Sequence, residues 1–586
     1  MRFFKNVLAV IVGIFAFFMF CFLGLMVLGA IIGSGDTTST KSNTVLVLNL
    51  ENVSWDYQGI ETDPLVQLMK GGDKTGFTDL INAIEYAKTD DRIQGITIVP
   101  GTHQVGMAQL KTLRDKLVSF REDTDKFVYG YASAYDQASY YLASVADSVF
   151  VNPAGQIELS GLANTVTYFK DLQEKSGIKM EVIRHGKYKS AVEPFLDDHM
   201  SDANREQISS MLGSIWSTYA QDIAKSRSIS AAQIDSIANG LLATFPSDAK
   251  QLGIVDNVVY EDQYHALIRR NLGITDEKED YNTSDLAAYA KEVALQFTGT
   301  GKDKIAIIYA QGQITSGEGN ATVIGDGAIR RAIREARNDD KVKAIVLRVD
   351  SPGGSALTSD LIWRELELTK KVKPVITSMG NYAASGGYYI ACNSDYIFAE
   401  PTTITGSIGV FGMVPNATEL SKKIGVNAEV VKTHQFADGY NVLRPMDPAF
   451  RDQIQKSIVH TYNDFTQKVA NGRKKTQAQV DEIGQGRVWT GTEALGIGLV
   501  DELGSLEDAI AFAAKKAGLD SYRTVDFPQF DNKLQDVLND YSLVQIKQAI
   551  LGIPLAKEIS PLVENAIQAQ DEKQRIFMLL PFEIKW

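Results

Sequence analysis

The chain repeats itself, and that restricts what it can fold into more than any other feature. Tyr140-Tyr141 and Tyr388-Tyr389 lie 248 residues apart. The same spacing pairs Asp147 with Asp395, Phe150 with Phe398, Pro153 with Pro401, Gly161 with Gly409 and Glu181-Val182 with Glu429-Val430. At a slightly smaller spacing, Gly253-Ile254-Val255-Asp256 matches Gly498-Leu499-Val500-Asp501. A repeat this long is a whole domain, so each copy must contain its own alternation of elements. In the first copy, residues 44–50, 94–99, 126–131 and 148–152 read as strands, and 77–92, 104–121 and 135–145 as helices. Residues 201–270 read as mainly helical and 275–304 as a polar connection. In the second copy, 304–310 and 343–349 read as strands, and 325–337 and the stretch up to 371 as helices. Strand and helix in alternation predict an α/β fold with a largely parallel sheet in each copy.

The copies differ where chemistry would sit. The second copy holds T-S-M-G-N-Y-A-A-S-G-G-Y-Y-I-A from Thr377 to Ala391. This reads as a strand ended by Gly380 and Asn381, then a helix from Tyr382 to Cys392 with Ser385 in its first turn. Two glycines there cost about 1 kcal/mol each relative to alanine, but they allow close approach of another backbone. Free N–H groups at a helix start suit a developing anion. Ser385 is therefore a candidate nucleophile, although taken alone it also reads as a capping or packing serine. Its counterpart in the first copy is Gln137, and the Pro352-Gly353-Gly354 turn falls near Val99-Pro100-Gly101-Thr102, which lacks the glycine pair. The first copy has instead H-G-K-Y-K-S-A-V-E-P-F from His185 to Phe195, where Lys189 aligns with Ala437. Each copy holds what the other lost, as expected if two duplicated domains divide one site.

A serine nucleophile needs a base. The six histidines (His103, His185, His199, His265, His434, His460) fall in no catalytic or metal-binding spacing. Lysine is the alternative: free, its pKa is about 10.4, and apolar burial lowers it. Tyr188, Ala191, Val192 and Phe195 could supply that setting, and Glu193 would oppose the shift if it pointed inward. Lys187 and Lys189 also read as ordinary surface charges. An oxyanion hole is the second requirement. Asp350-Ser351-Pro352-Gly353-Gly354 follows an apolar strand, so the amides of Gly354 and Gly386 are candidate donors; a plain β-turn is the other reading. Ser407, in T-G-S-I-G-V, is a turn serine that could hold the lysine.

Arg2 and Lys5 precede an uncharged apolar segment, residues 7–32. As a helix it would span about 39 Å, against a hydrocarbon core of about 30 Å. No small-residue cleavage site follows, so an uncleaved anchor is expected, with the N-terminus in the cytoplasm and the bulk outside. The formal charge of −13 and pI near 5.2 argue against nucleic acid as a partner. Two cysteines, Cys21 and Cys392, define neither a disulfide framework nor a zinc site.

Y-K-S-A-V-E-P-F around Lys189, D-S-P-G-G-S at 350–355, A-A-S-G-G-Y-Y-I-A around Ser385 and T-G-S-I-G-V at 405–410 together resemble the signal peptide peptidase A (protease IV) family in its long, two-repeat form. The resemblance covers nearly the whole chain, more loosely after about residue 525. It implies tandem Clp-protease/crotonase-like domains, of ββα-type spiral, behind one N-terminal transmembrane helix. It further implies Ser385 as nucleophile, Lys189 as general base, Ser407 as the residue that orients the lysine, and Gly354 and Gly386 as oxyanion donors, with no metal and no cofactor. The expected division is a cytoplasmic N-terminus (1–6), anchor (7–32), linker (33–43), lysine-bearing repeat (44–300), serine-bearing repeat (301–525) and C-terminal extension (526–586). Such a chain would be a homotetrameric serine endopeptidase of the bacterial cytoplasmic membrane. Its catalytic domains would lie on the extracytoplasmic side, its lipid contact would run through the N-terminal helix, and its substrates would be cleaved signal peptides and other apolar peptides. Two rivals remain: a silent peptide-binding scaffold of the same fold, and a crotonase-type acyl-CoA enzyme, for which no CoA signature is evident. The apolar C-terminal stretch I-F-M-L-L-P-F-E-I-K-W suggests subunit packing or membrane docking.

Overall fold

The computed structural model describes residues 39–59, 75–101, 104–276, 279–296, 299–530 and 577–579, with Gly13, Phe17, Met19 and Phe20. The expected anchor otherwise lies outside the described residues; those four are helical and exposed. Among the described residues, no helix is long and apolar enough to cross a membrane.

Two large sheets follow the duplication. In the first half, β1 (Thr44–Leu48), β2 (Ile93–Ile98), β3 (Phe127–Ala132), β4 (Ser148–Val151), β6 (Asn257–Val258) and β7 (Asn282–Asp285) lie in the order β6-β4-β3-β2-β1-β7. Every pairing is parallel. In the second half, β8 (Lys304–Gln311), β12 (Val342–Ser351), β14 (Val375–Ala384), β16 (Ile404–Gly406), β18 (Val488–Thr490) and β20 (Arg523–Phe527) lie in the order β18-β16-β14-β12-β8-β20. β15 (Tyr396–Ala399) adds to β14, and β19 (Glu502–Leu503) to β15. Helices cover these sheets and bury their apolar faces against them, as parallel sheets require.

The duplication shows in matching bonds. The Tyr140 hydroxyl donates to the Ile254 carbonyl at 2.9 Å, and that of Tyr388 to the Leu499 carbonyl at 2.9 Å. Asp256 accepts from the Val149 amide and the Arg227 guanidinium; Asp501 accepts from the Ile397 amide and the Arg473 guanidinium. The repeat does not extend to Glu181-Val182, however. These residues lie in β5 (Lys179–His185), whereas Glu429-Val430 lie in a loop with no assigned strand.

β5 leaves its own half. It joins a third sheet with β9 (Gln313–Thr315), β10 (Gly319–Asn320), β11 (Val323–Gly325), β13 (Gly353–Ser355), β17 (Val410–Asn416) and β21 (Phe577–Leu579), in the order β10-β11-β9-β13-β21-β17-β5. β5 pairs antiparallel with β17 along its whole length, from Val410 opposite His185 to Asn416 opposite Lys179. This pairing carries the Lys189 segment into the second half.

The expected break at Gly380 and Asn381 is not there. β14 runs through both residues to Ala384 and changes partner on the way, from β15 below to β16 above. Buried Asp350 holds the crossover: its carboxylate accepts from the Tyr382 amide at 2.9 Å and the Asn381 side-chain amide at 3.0 Å. Asn381 also reaches the other half, where its oxygen accepts from the amides of Ala108 and Gln109 at the start of the helix Met107–Asp123. Beside it, Arg348 and Asp56 form a buried ion pair across the halves, at 2.6 Å. Removing one member of such a pair costs about 3–5 kcal/mol, so the two halves are firmly joined next to the strand that carries Ser385.

Candidate active site

The helix after β14 starts at Gly386, not Tyr382, and spans Gly386–Ala391. Ser385 is the single residue between strand and helix, with φ 55° and ψ −112°. A non-glycine residue there is strained by about 1–3 kcal/mol. Its amide donates to the Gly406 carbonyl at 2.8 Å, and its carbonyl accepts from the Tyr389 amide at 2.9 Å, so the turn is held from both sides. Although Ser385 occupies the capping position, its hydroxyl caps nothing. It points instead at Lys189, whose Nζ lies 2.9 Å from Oγ.

Lys189 follows β5 in a loop pinned to the second half. The Tyr188 amide donates to the Gln485 carbonyl at 2.9 Å. Gln207 donates to the Tyr188 carbonyl at 3.1 Å and the Ser190 hydroxyl at 2.8 Å, and accepts from the Val488 amide at 3.3 Å. Gly486 lies directly against the lysine backbone, since a Cβ there would meet the Lys189 nitrogen at 2.6 Å. Sequence reasoning did not find Gln207, Gln485 or Gly486. Their roles arise from contacts made across roughly 20 to 300 residues of chain, and no local pattern marks them.

Lys189, Ser385 and Ser407 are all fully buried. Lys189 Nζ lies 2.9 Å from the Ser407 hydroxyl and 3.4 Å from its carbonyl. Ser407, with φ 50°, is fixed by its own amide donating to the Arg487 carbonyl at 2.7 Å. Burial pushes the Lys189 amine well below the range of a free lysine. Glu193 is also buried, but its carboxylate is engaged elsewhere, accepting from the Ser201 amide and the Asn204 side chain. Lys187 lies exposed, over the Tyr188 ring.

The two expected anion donors lie together. Gly353 and Gly354 form the strand β13, not an isolated turn. A Cβ on Gly386 would fall 3.1 Å from the Gly354 nitrogen, which places that amide beside the Gly386 Cα. In the first half, Gln137 stands at the corresponding strand-to-helix turn. Its side chain is consumed by backbone, accepting from the amides of Ser160 and Gly161 and donating to the Gly161 carbonyl. Ala437, which aligns with Lys189 only by sequence spacing, lies exposed beyond the point where the structural repeat ends. The structure thus brings together Lys189, Ser385, Ser407, Gly354 and Gly386, at one place.

The family model "Peptidase family S49" matches residues 121–275 and 367–520, one segment in each half. The chain belongs to peptidase family S49. Protease 4 of Salmonella typhi is 36% identical over 514 residues, covering 85% of this chain and 81% of that protein. Protease 4 of Haemophilus influenzae is 35% identical over 514 residues, covering 83% and 82%. The chloroplastic serine protease SPPA of Arabidopsis thaliana is 33% identical over 479 residues, covering 80% and 70%. As a member of this family, the chain is a serine protease with two family segments in tandem.

Proposed function

We propose that this S49 peptidase cleaves peptide bonds with Ser385 as nucleophile and Lys189 as general base. The observation that carries the reading is the 2.9 Å contact between Lys189 Nζ and Ser385 Oγ in a fully buried setting, with the two groups supplied by different halves of the chain. A neutral amine has two N–H bonds and one lone pair. The Ser407 hydroxyl and carbonyl can accept the two N–H bonds, which leaves the lone pair facing the Ser385 hydroxyl. Lys189 then takes the hydroxyl proton as Oγ attacks the scissile carbonyl carbon. The amides of Gly354 and Gly386 donate to the oxyanion of the tetrahedral intermediate. Lys189 returns the proton to the leaving amine, and an ester of Ser385 remains. Water, deprotonated by the same lysine, releases the acid and restores the hydroxyl.

Ser407 is a positioning residue in this scheme. Each half is read as a Clp-protease/crotonase-like spiral, in support of which stand the largely parallel sheets of the two halves. The apolar segment 7–32 is read as a single-pass anchor in the cytoplasmic membrane, with both halves on the extracytoplasmic side. Cleaved signal peptides and similar apolar peptides are the substrates, and the assembly is a homotetramer, on the strength of the family resemblance.

The test is hydrolysis of a fluorogenic peptide with an apolar residue before the cut, by detergent-solubilised wild type, Ser385→Ala and Lys189→Ala, each with an unchanged circular dichroism spectrum. Both variants should lose at least about 1,000-fold in kcat/KM, the scale on which nucleophile and base act. Activity retained in Ser385→Ala would overturn the assignment of the nucleophile. Activity retained in Lys189→Ala alone would move the base elsewhere.

A further inference from the structure

The strand-to-helix turn of the first half lost its nucleophile, but the space beside it was not filled in. Gln137 and Ala138 stand where the second half has Ser385 and Gly386. Both line a cavity of about 730 Å³ between the two halves. Ligand-binding clefts typically measure about 300–1,000 Å³. Trp55, Val105 and Met107 form apolar wall from the first half, and Tyr382 and Ile404 from the second. Tyr382 lies on β14, three residues before Ser385, and Ile404 on β16, three residues before Ser407. The cavity therefore adjoins the strands that hold the candidate active site.

Its wall has hydrogen-bonding and electrostatic needs that the described residues do not meet. Ser54 and Thr402 line it, are 4% and 1% exposed, and their hydroxyls have no hydrogen-bond partner among the described residues. A buried hydroxyl left without a partner is costly, and an extended peptide carries N–H and C=O groups at every residue to satisfy it. The charged side chains on the wall are Asp136, Glu158 and Asp350, all acidic. Asp350 is buried and held by Asn381 and Tyr382. Asp136 accepts from the Ser139 amide at 2.7 Å, and Glu158 is exposed. Three carboxylates and no basic side chain make the cavity suited to a cation.

The backbone leading away from the wall points to a peptide. From Gly161 the chain continues through residues 162–168, which alternate between half-buried and exposed. That is the period of a strand, yet no strand is assigned there. The 248-residue spacing makes this segment the counterpart of β17, which pairs with β5 at every residue. An open edge of this kind takes up an extended peptide through main-chain hydrogen bonds.

We propose that the cavity is a second, non-catalytic peptide-binding site, built on the disused turn of the first half, which holds the cationic end of an apolar peptide. The inference rests on the proposed substrate class, since signal peptides carry a positively charged start ahead of their apolar stretch. Held at that end, the apolar stretch meets Ser385 at a raised effective concentration.

The test uses full-length, detergent-solubilised Ser385→Ala and two fluorescein-labelled peptides, K-K-A-L-L-A-L and E-E-A-L-L-A-L. Fluorescence polarisation at low salt should show the lysine peptide binding at least about tenfold more tightly, with the gap narrowing as salt is added. Glu158→Lys should weaken the lysine peptide at least about threefold and leave the glutamate peptide no weaker. Ser160→Trp, on the cavity wall, should weaken the lysine peptide at least about tenfold by filling the space. Both substituted residues are exposed, and circular dichroism checks the fold of each variant. A benzophenone placed beside the two lysines should crosslink to Trp55 or Met107, mapped by mass spectrometry. Equal binding of the two peptides, an affinity that neither substitution moves, or crosslinks confined to the surroundings of Ser385 would overturn the proposal. So would amides of residues 162–168 that are already protected from hydrogen exchange without peptide and unchanged with it, which would give this edge to a second copy of the chain. None of these measurements needs turnover. If the wild type cleaves nothing yet the lysine peptide still crosslinks in the cavity, the peptidase reading falls and the binding site remains.

Discussion

Lys189→Met tests the protonation state on which the mechanism depends. Methionine keeps most of the volume and removes the amine. Burial holds the Lys189 amine well below its free value, so the unfolded chain binds a proton there that the folded chain does not. Stability then rises with pH across the window between the folded and unfolded values, by about 1.36 kcal/mol per pH unit. That slope belongs to the wild type and is absent from the variant. Two losses shift the variant's stability by a pH-independent amount: the hydroxyls of Ser385 and Ser407 each lose a partner, at about 1–3 kcal/mol apiece. What identifies the buried neutral lysine is therefore the change with pH, not the offset. Over each pH unit below the free lysine value in which the folded amine is neutral, the wild type should gain about 1.36 kcal/mol on Lys189→Met. For a cooperative unit of about 200 residues this is roughly 3–5 °C in relative melting temperature per pH unit. The assay is differential scanning calorimetry of both proteins, in one detergent and at matched ionic strength, across that range. A difference in melting temperature that stays constant with pH would show a lysine with the same charge folded and unfolded, and no neutral base would then exist.

Three further outcomes follow from other contacts. Ser407→Ala removes the hydroxyl 2.9 Å from Lys189 Nζ and should lower kcat about 10- to 100-fold through misplacement of the base, with KM nearly unchanged in peptide hydrolysis. Glu400 is buried, accepts from the Thr112 hydroxyl, and is pushed by burial from 4.5 to about 7. The folded chain therefore keeps a proton that the unfolded chain releases, and stability falls as pH rises from about 4.5 to about 7, by up to about 3 kcal/mol. Glu400→Gln should remove that fall and raise the melting temperature at pH 8 but not at pH 4. Gly486→Ala would place a Cβ 2.6 Å from the Lys189 nitrogen at a residue with φ +85°. It should cost at least about 2 kcal/mol in stability and most of the peptidase activity, measured on the same preparation.

The duplication was legible because matched residues hold matched bonds, as Tyr140 and Tyr388 or Asp256 and Asp501 do. The strand and helix alternation was legible because parallel strands buried on both faces are apolar runs, such as Ile305–Ala310. The serine and lysine stood out as residues that one copy has and the other lacks. Gly380 and Asn381 misled because glycine and asparagine normally end strands. Here tertiary contacts with Asp350 and the helix Met107–Asp123 hold an extended backbone through them. The third sheet was not legible at all. Its strands β9, β13 and β21 have three residues each, too few for any periodicity, and they meet across long stretches of chain. The setting of Lys189 was hidden for the same reason, since Gln485 and Gly486 approach it from nearly 300 residues away.

The central claim is that the Ser385 hydroxyl is made nucleophilic by Lys189. Its most direct test is covalent. The detergent-solubilised chain is treated with a serine-directed fluorophosphonate, digested, and mapped by mass spectrometry, alongside Lys189→Met. The account predicts a single stoichiometric adduct on Ser385 in the wild type and labelling slower by at least about 100-fold in Lys189→Met, the lower end of what a general base contributes. An adduct on another serine, or equal labelling of Ser385 in both proteins, would contradict it.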